Sequence, residues 1–245
     1  MTKIYEALEQ AQKMKKGSGS VGPTHSPFIS SSTELPESEM EGEMIRLYQN
    51  LISLLPDFKN KVFQFIGSRE GEGTSTIVRE FARVVATKFN EWVVLLDADR
   101  YKPTQNLFFD IDARFGWEDA VRERGPMDKA FYRVGEAPLF VSPISGNSNS
   151  APQIFDAPRI DSFLAELKQR FDMVLIDSPP AVAYPDGLAI CAKADGVLII
   201  VAAEDTRWPV VENVKERITR NGGKILGVVF NKRRHYIPEF IYRRL

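Results

Sequence analysis

The residues best suited to chemistry in this chain form a glycine-rich segment, SREGEGTST at residues 68–76, which closely follows the apolar run VFQFI at 62–66. Its spacing follows the phosphate-binding pattern G-x-x-x-x-G-K-[ST], which lies between a strand and a helix. Ser68 takes the first small position, Gly73 the second glycine position and Ser75 the hydroxyl position. Thr74 stands where the pattern has lysine. The segment therefore predicts a phosphate-binding loop that lacks one positive charge.

Each position of this loop has its own physical role. Gly71 and Gly73 allow backbone N–H groups to curl around a phosphate, and the N-terminus of the following helix directs its amides to the same place. The hydroxyl of Ser75 is suited to bind Mg²⁺. Lysine normally supplies positive charge to the terminal phosphates, which Thr74 cannot do, so Arg69 is a candidate substitute if the loop brings it near. On this segment alone, a glycine-rich turn without a ligand is an equally good interpretation.

Carboxylates follow two other apolar runs. Asp97 and Asp99 follow the run at residues 92–96, and Asp177 follows the run at 173–176. Oxygen ligands of this kind hold Mg²⁺ or orient a nucleophile. A single aspartate at such a place is more often a helix cap or a turn residue. Three of them beside a glycine loop favour a ligand site, because ligands of open parallel sheets bind beyond the carboxyl ends of the strands.

The elements that must position these residues alternate between strand and helix from residue 61 onward. Apolar runs predict strands at 62–66, 92–96, 139–141, 173–176, 197–201 and 225–230. Helical periodicity predicts helices over 75–89, 160–171 and 208–220. Near-continuous Val, Ile and Leu strands separated by helices are typical of a parallel sheet covered on both faces. We therefore predict an α/β fold with a doubly wound, mostly parallel sheet, helices on both faces and additional N-terminal helices.

Composition divides the chain into five segments. Residues 1–16 predict an amphipathic helix, and residues 17–36 predict a flexible linker because twelve of these twenty residues are Gly, Ser or Pro. Residues 37–60 contain a helix that packs on the domain or forms oligomers, residues 61–231 form the domain, and residues 232–245 form a basic-aromatic tail. The first helix is either a docking element or a frayed end. The tail either contacts a membrane or a partner, or packs back on the domain.

The overall composition excludes some classes of protein. Lys and Arg number 32 and Asp and Glu 33, which gives a net charge of −1 and argues against a surface built for nucleic acid. The single cysteine, Cys191, cannot form an internal disulfide, and the two histidines lie in the linker and the tail, where they indicate no metal site. No transmembrane or signal segment is visible in the sequence. We therefore expect a cytoplasmic protein.

In combination, these motifs resemble those of the bacterial tyrosine kinases (BY-kinases) of capsule and exopolysaccharide systems, a branch of the MinD/ParA superfamily of P-loop ATPases. EGEGTST at 70–76 is similar to that family's PGEGKST, LLDADRYKP at 95–103 to LIDADLRKP, and LIDSPP at 175–180 to its Walker B motif. GVVFN at 227–231 resembles a strand end whose Asn contacts adenine. Glu43, Arg46 and Gln49 resemble the oligomerisation helix E-x-x-R-x-x-R.

The resemblance implies a site for ATP or ADP with Mg²⁺. The nucleotide contacts that it implies come from Ser68, Arg69, Gly71, Glu72, Gly73, Thr74, Ser75, Thr76 and Asn231. The implied catalytic carboxylates are Asp97, Asp99 and Asp177, and the implied magnesium ligands are Ser75, Asp97 and Asp177. The implied partners are an inner-membrane polysaccharide co-polymerase of the chain-length regulator type and further copies of this chain in a homo-oligomer. Contact with the inner membrane would be peripheral, and no nucleic acid partner is expected.

The sequence departs from the family pattern at several positions. Thr74 replaces the phosphate lysine, Arg69 stands at the place of the superfamily's signature lysine, and Gln49 replaces the last arginine of the oligomerisation helix. The tail has only Tyr236 and Tyr242, where active kinases carry a dense tyrosine cluster. We therefore predict a nucleotide-binding regulator of a polysaccharide co-polymerase with weak or lost catalysis. The alternatives are an active tyrosine autokinase or ATPase of the same pathway, and a MinD/ParA-type positioning ATPase.

Overall fold

The structure is a computed structural model that describes residues 40–55, 59–122, 126–145 and 159–233. The predicted N-terminal helix, the linker and most of the tail, with Tyr236 and Tyr242, lie outside the described residues. Within those four ranges, no helix is both long enough and apolar enough to cross a membrane.

Helices and strands alternate along most of the described chain. The helices are α1 (Glu41–Leu54), α2 (Thr74–Lys88), α3 (Gln105–Phe108), α4 (Trp117–Val121), a 3₁₀ turn (Met127–Ala130), α5 (Arg159–Arg170), α6 (Asp186–Cys191) and α7 (Trp208–Arg220). The strands are β1 (Lys61–Gly67), β2 (Val93–Asp97), β3 (Tyr132–Arg133), β4 (Leu139–Ser142), β5 (Met173–Ser178), β6 (Gly196–Ala202) and β7 (Ile225–Asn231).

The strands form one sheet in the order β3-β4-β2-β5-β1-β6-β7. Every pairing is parallel except that of the two-residue β3 with β4, which is antiparallel. The predicted α/β fold with a mostly parallel sheet is confirmed. Because β5 lies between β1 and β2, the carboxyl ends of these three strands are neighbours at one edge of the sheet.

Helices cover both faces of the sheet, as the alternation of side chains in β2 shows. Val93 and Leu95 pack in one apolar cluster with α1 and α2, whereas Val94 and Leu96 pack in a second cluster with α4 and α5. Phe65 of β1 contributes to the first cluster and contacts a phenylalanine of α2 at 5.6 Å between ring centroids. Burial of each such large side chain stabilises the fold by about 1.5–3 kcal/mol, so the two clusters fix the sheet edge that carries the loop and the aspartates.

The structure also contains short elements that the sequence analysis did not predict. α3, α4 and β3 have four, five and two residues, which is too short to produce a periodic apolar pattern. All three lie between β2 and β4. Of the three, α3 is the one that bears on the site, because it begins only eight residues after the end of β2.

Candidate nucleotide site

The predicted site residues lie at the shared carboxyl edge of β1, β2 and β5. Asp97 and Asp177 are direct partners in the parallel register of β2 and β5, so the two carboxylates leave neighbouring strands side by side. Phe65 of β1 is the partner of Asp177 on the other side, and the glycine-rich loop starts just after the end of β1. The sheet thus brings together the loop and the carboxylates that the sequence only placed at separate strand ends.

The glycine-rich loop turns directly into α2. Gly71 and Gly73 both have left-handed backbone conformations, with φ of 84° and 88°. Gly73 caps the N-terminus of α2, and a Cβ atom added to it would lie 2.3 Å from Nδ2 of Asn231. Only glycine fits such a position without strain. The loop therefore has the backbone geometry and the helix N-terminus that phosphate binding requires.

The loop is held from inside by the side chain of Glu72, which is almost fully buried. Its carboxylate accepts hydrogen bonds from the Ser68 hydroxyl (2.6 Å), the Arg69 backbone N–H (2.8 Å) and the Thr206 hydroxyl (2.5 Å). Since Thr206 follows β6, the bond ties the loop to the neighbouring strand end. Glu72 therefore organises the loop from within.

Asn231 also holds the loop. Its Nδ2 donates to the backbone carbonyl of Glu72 at 2.9 Å. Asn231 is the last residue of β7, so a second strand end is tied to the glycine-rich segment. The predicted contact of Asn231 with adenine stays a prediction; in this structure its amide group binds the loop backbone.

Asp177 is the carboxylate best prepared to accept a further ligand. Its Oδ2 accepts a hydrogen bond from Gln105 Nε2 at 2.7 Å, whereas its buried Oδ1 has no hydrogen-bond partner among the residues that the structure describes. Burial raises the pKa of Asp177 to about 6, while the side chains of Gln105 and Ser75 act against that rise. A buried, unpaired carboxylate oxygen beside a hydroxyl fits Mg²⁺, which prefers hard oxygen ligands.

Asp97 lies beside Asp177 in the sheet register, and its predicted roles as a magnesium ligand and a catalytic carboxylate stay predictions. Its Oδ1 accepts the backbone N–H of Asp99 (3.2 Å), and its Oδ2 accepts those of Thr104 and Gln105 (3.1 Å each). Burial, followed by the charge of Asp177, holds the pKa of Asp97 well above its usual range. The Asp97 carboxylate thus shapes the turn that leads from β2 into α3.

Asp99 continues this turn. Its Oδ1 accepts the backbone N–H groups of Tyr101 and Lys102, at 3.1 Å each. Burial raises the pKa of Asp99, against the effect of these bonds. In the described part of the chain, no group of three or more His, Cys, Asp or Glu side chains is arranged to hold a metal ion. The predicted magnesium ligands Ser75, Asp97 and Asp177 stay predictions.

The remaining predicted residues lie around this centre. Thr74 is half-buried, and its Oγ1 lies 2.6 Å from the point where a Cβ atom on Gly67 would be. The threonine thus turns back towards the end of β1 and brings no charge. Arg69 and Thr76 are exposed at the surface, and their roles in nucleotide binding stay predictions.

Sequence reasoning missed Gln105, which is fully buried and connects several parts of the site. Its Nε2 donates to Asp177 and, at 3.2 Å, to the backbone carbonyl of Ser75, while its Oε1 accepts from Arg79 at 3.4 Å. Arg79 of α2 is itself buried, with its guanidinium 3.7 Å from the centroid of the Phe108 ring, and burial lowers its pKa. No sequence signal marks Gln105, because its partners are 26 to 72 residues away.

At the outer rim, the segment after β2 is bound to both neighbouring loops. Lys102 Nζ lies 2.9 Å from Glu70 Oε1 of the glycine-rich loop. Arg100 donates to Asp186 at 2.5 Å, at the start of α6. These contacts join the segments after β1, β2 and β5 into one surface around the carboxylates.

Comparison with known proteins gives the family context. No protein-family model matches the sequence. The tyrosine-protein kinase YwqD of Bacillus subtilis is 26% identical over 161 residues, which cover 66% of this chain and 68% of YwqD. The tyrosine-protein kinase CpsD of Streptococcus agalactiae is 24% identical over 175 residues, or 71% of this chain and 76% of CpsD. The chain is a homologue of the bacterial tyrosine kinases.

Solved structures agree with this kinase homology at the level of the fold. The chimerical protein CapA2B2 is similar with a TM-score of 0.75 and 22% identity, covering 82% of this chain and 88% of the other. The VpsO kinase domain has a TM-score of 0.72 and 22% identity, covering 80% and 95%. The cell-division ATPase MinD of Pyrococcus furiosus has a TM-score of 0.60 and 18% identity, covering 76% and 78%. The kinase homologue therefore has the P-loop NTPase fold.

Proposed function

We propose that this BY-kinase homologue binds ATP or ADP with Mg²⁺ in exopolysaccharide or capsule biosynthesis, and that it transfers phosphate slowly or not at all. The observation that carries the proposal is the buried Asp177 carboxylate beside Ser75, whose Oδ1 has no hydrogen-bond partner among the described residues, at the point where a glycine-rich loop becomes a helix. A buried polar atom without a partner costs free energy, which a ligand at this place would recover.

Different groups of the chain would bind the phosphates and the magnesium ion. Backbone amides of the loop and the N-terminus of α2 would receive the phosphates, and Gly71 and Gly73 keep the backbone close enough for this contact. Ser75 and Asp177 would hold Mg²⁺, which neutralises phosphate charge when bound. Asp97 keeps the turn after β2 in place beside them.

Thr74 is the reason to propose slow or absent phosphoryl transfer. Catalysis of this reaction depends on positive charge placed at the transferring phosphate. Threonine supplies none, and its side chain packs back towards Gly67. Binding can persist on backbone amides and Mg²⁺, whereas the transition state loses a major source of stabilisation.

A phosphate-release assay on Thr74→Lys tests this part of the proposal. We expect the wild-type chain to release phosphate at or near background, and Thr74→Lys to raise the rate by a factor of about 10 or more. Thr87→Lys, near the exposed C-terminal end of the same helix, is the matched control and should leave the rate unchanged. Wild-type turnover equal to that of Thr74→Lys would contradict the proposal and favour an active kinase or ATPase.

The second candidate, an active tyrosine autokinase, is favoured by the retained carboxylates Asp97, Asp99 and Asp177. Phosphotyrosine detection after incubation with Mg-ATP separates the two functions, because the proposed regulator would show no signal above that of the Asp177→Asn variant. A MinD/ParA-type positioning role would instead require localisation at the division site or on DNA in cells.

We propose an inner-membrane polysaccharide co-polymerase as the partner and a homo-oligomer as the assembly, at the cytoplasmic face of the membrane. In support of the assembly, Glu43, Arg46 and Gln49 lie on the exposed face of α1, while Met44 and Tyr48 are buried against the domain. Glu43 and Arg46 form an exposed ion pair with 3.2 Å between Oε1 and Nη1. In an oligomer, each side chain would pair with a charged group of a second copy instead.

Sedimentation of the full chain with and without Mg-ATP tests the assembly. We expect Arg46→Glu to shift the distribution towards the monomer, and Arg220→Glu on the exposed end of α7 to leave it unchanged. Co-purification with a membrane-embedded co-polymerase tests the partner, and recovery of the chain without it would count against the partner.

A further inference from the structure

Lys232 reaches the phosphate-binding loop from the opposite end of the sequence. It follows the last residue of β7, and its Nζ lies 2.6 Å from the backbone carbonyl oxygen of Gly71, which is 161 residues away. Its backbone has a left-handed conformation, with φ of 57°, which is uncommon for a residue other than glycine. The backbone N–H of Lys232 donates to Asn231 Oδ1 at 2.8 Å. This turn directs the lysine side chain to the loop.

Asn231 and Lys232 each donate a hydrogen bond to the loop, and they bind two consecutive carbonyl groups. Asn231 Nδ2 donates to the carbonyl of Glu72, and Lys232 Nζ donates to that of Gly71. An ammonium group has three donors, and Gly71 uses one of them. Within the described ranges, the other two N–H donors and the full positive charge are left at the edge of the loop.

The loop needs such a charge because Thr74 supplies none. Lys102 also lies near the loop, but its ammonium group is paired with the Glu70 carboxylate at 2.9 Å. Lys232 instead contacts a neutral carbonyl oxygen, so its charge is not neutralised by that contact. A cation that is already fixed beside the loop needs little rearrangement when an anion binds.

We infer that Lys232 is a nucleotide-binding residue that holds the loop through Gly71 and places its ammonium group beside the bound polyphosphate, where it replaces part of the charge missing at Thr74. The inference rests on the proposed function, because it requires nucleotide to bind at this loop. It also gives Lys232 a role in the site, whereas the sequence alone assigns this residue to the basic-aromatic tail.

Four variants of the full chain, titrated with a fluorescent ADP analogue and Mg²⁺, test the role of Lys232. Lys232→Ala removes both the hydrogen bond and the charge, Lys232→Gln keeps a donor without the charge, and Lys232→Arg keeps both. Lys224→Ala removes an exposed lysine just before the other end of β7 and is the matched control. Thermal melting of each variant checks that the fold is intact.

We expect Lys232→Ala and Lys232→Gln to raise the dissociation constant about tenfold, since a hydrogen bond to a charged group contributes about that much. Lys232→Arg should stay within about threefold of the wild type, and Lys224→Ala should not change the constant. The salt dependence of binding should be less steep for Lys232→Ala and Lys232→Gln, because one cationic contact is lost.

The possible results separate this inference from the proposed function. If the wild type binds and Lys232→Ala binds equally well, the role of Lys232 is refuted and the nucleotide site stands. If Lys232→Gln matches the wild type, the charge has no part in binding and the inference is refuted in the same way. If the wild type itself does not bind the nucleotide, both the proposed function and this inference are refuted.

Discussion

Replacement of Asp177 by asparagine should make the ligand-free protein more stable at neutral pH. The Asp177 carboxylate is buried, one of its oxygens has no hydrogen bond within the described ranges, and burial raises its pKa to about 6 from its ordinary value of 3.8. Between these two values, the folded protein binds a proton that the unfolded chain has released. Stability therefore falls as pH rises from about 4 through 6, and Asp177 destabilises the fold above that range.

The magnitude follows from the shift in pKa. A difference of about two pKa units corresponds to about 3 kcal/mol at pH 8, and the same relation leaves less than about 1 kcal/mol at pH 4. Asparagine cannot ionise and can still accept the hydrogen bond from Gln105. We therefore expect Asp177→Asn to raise the free energy of unfolding by about 1–3 kcal/mol at pH 8 and by less than about 1 kcal/mol at pH 4.

Urea denaturation at the two pH values measures this difference. Asp161→Asn is the control, because Asp161 is largely exposed and its ion pair with Lys193 should contribute less than about 1 kcal/mol. Saturating Mg-ADP should stabilise the wild type more than Asp177→Asn, since the ion needs the carboxylate. An Asp177→Asn variant that is less stable than wild type at pH 8, or equally stabilised at both pH values, would refute the reasoning.

Three further predictions concern buried groups of the site and core. Gln105→Leu should lower the free energy of unfolding in urea by about 2–4 kcal/mol, because Asp177 and Arg79 lose a buried hydrogen-bond partner. The control variant Gln49→Leu, on the exposed face of α1, should change this free energy little. The Mg-ADP dissociation constant should increase as pH falls from 7 to 5, because Asp177 becomes protonated near pH 6; a constant value over that range would contradict its role as a ligand. The Cys191 thiol should react with a disulfide reagent no faster than the protein unfolds locally around it, because the residue is buried and burial raises its pKa to about 12. Rapid labelling of the native protein would contradict the placement of Cys191 in the core.

The sequence predicted those features whose signals are local. The glycine loop could be located because Gly71, Gly73 and Ser75 occupy fixed positions between an apolar run and a helical pattern. The parallel sheet followed from apolar strands that alternate with helices, and the carboxylates could be placed at one edge because parallel strands end there.

The contacts that hold the site together could not be predicted in this way. Glu72 meets Thr206 across 134 positions, and Lys232 meets Gly71 across 161. Such pairs depend on which strands become neighbours, and the strand order is not encoded in any single segment. Asp97 shows a second limit, because the sequence does not reveal that its carboxylate accepts the backbone N–H groups of Asp99, Thr104 and Gln105.

The most direct test of the nucleotide site is calorimetric titration of the full chain with ATP and Mg²⁺, for the wild type and for Gly73→Ala. A Cβ atom at Gly73 would meet Asn231 Nδ2 at 2.3 Å in a left-handed backbone conformation, so the variant should distort the loop. Gly227→Ala, where a Cβ atom would meet no other atom within 4 Å, is the control. We predict saturable binding by the wild type and Gly227→Ala, and affinity at least about tenfold weaker for Gly73→Ala. An absence of binding heat in the wild type, or equal binding by all three proteins, would contradict a nucleotide site at this loop.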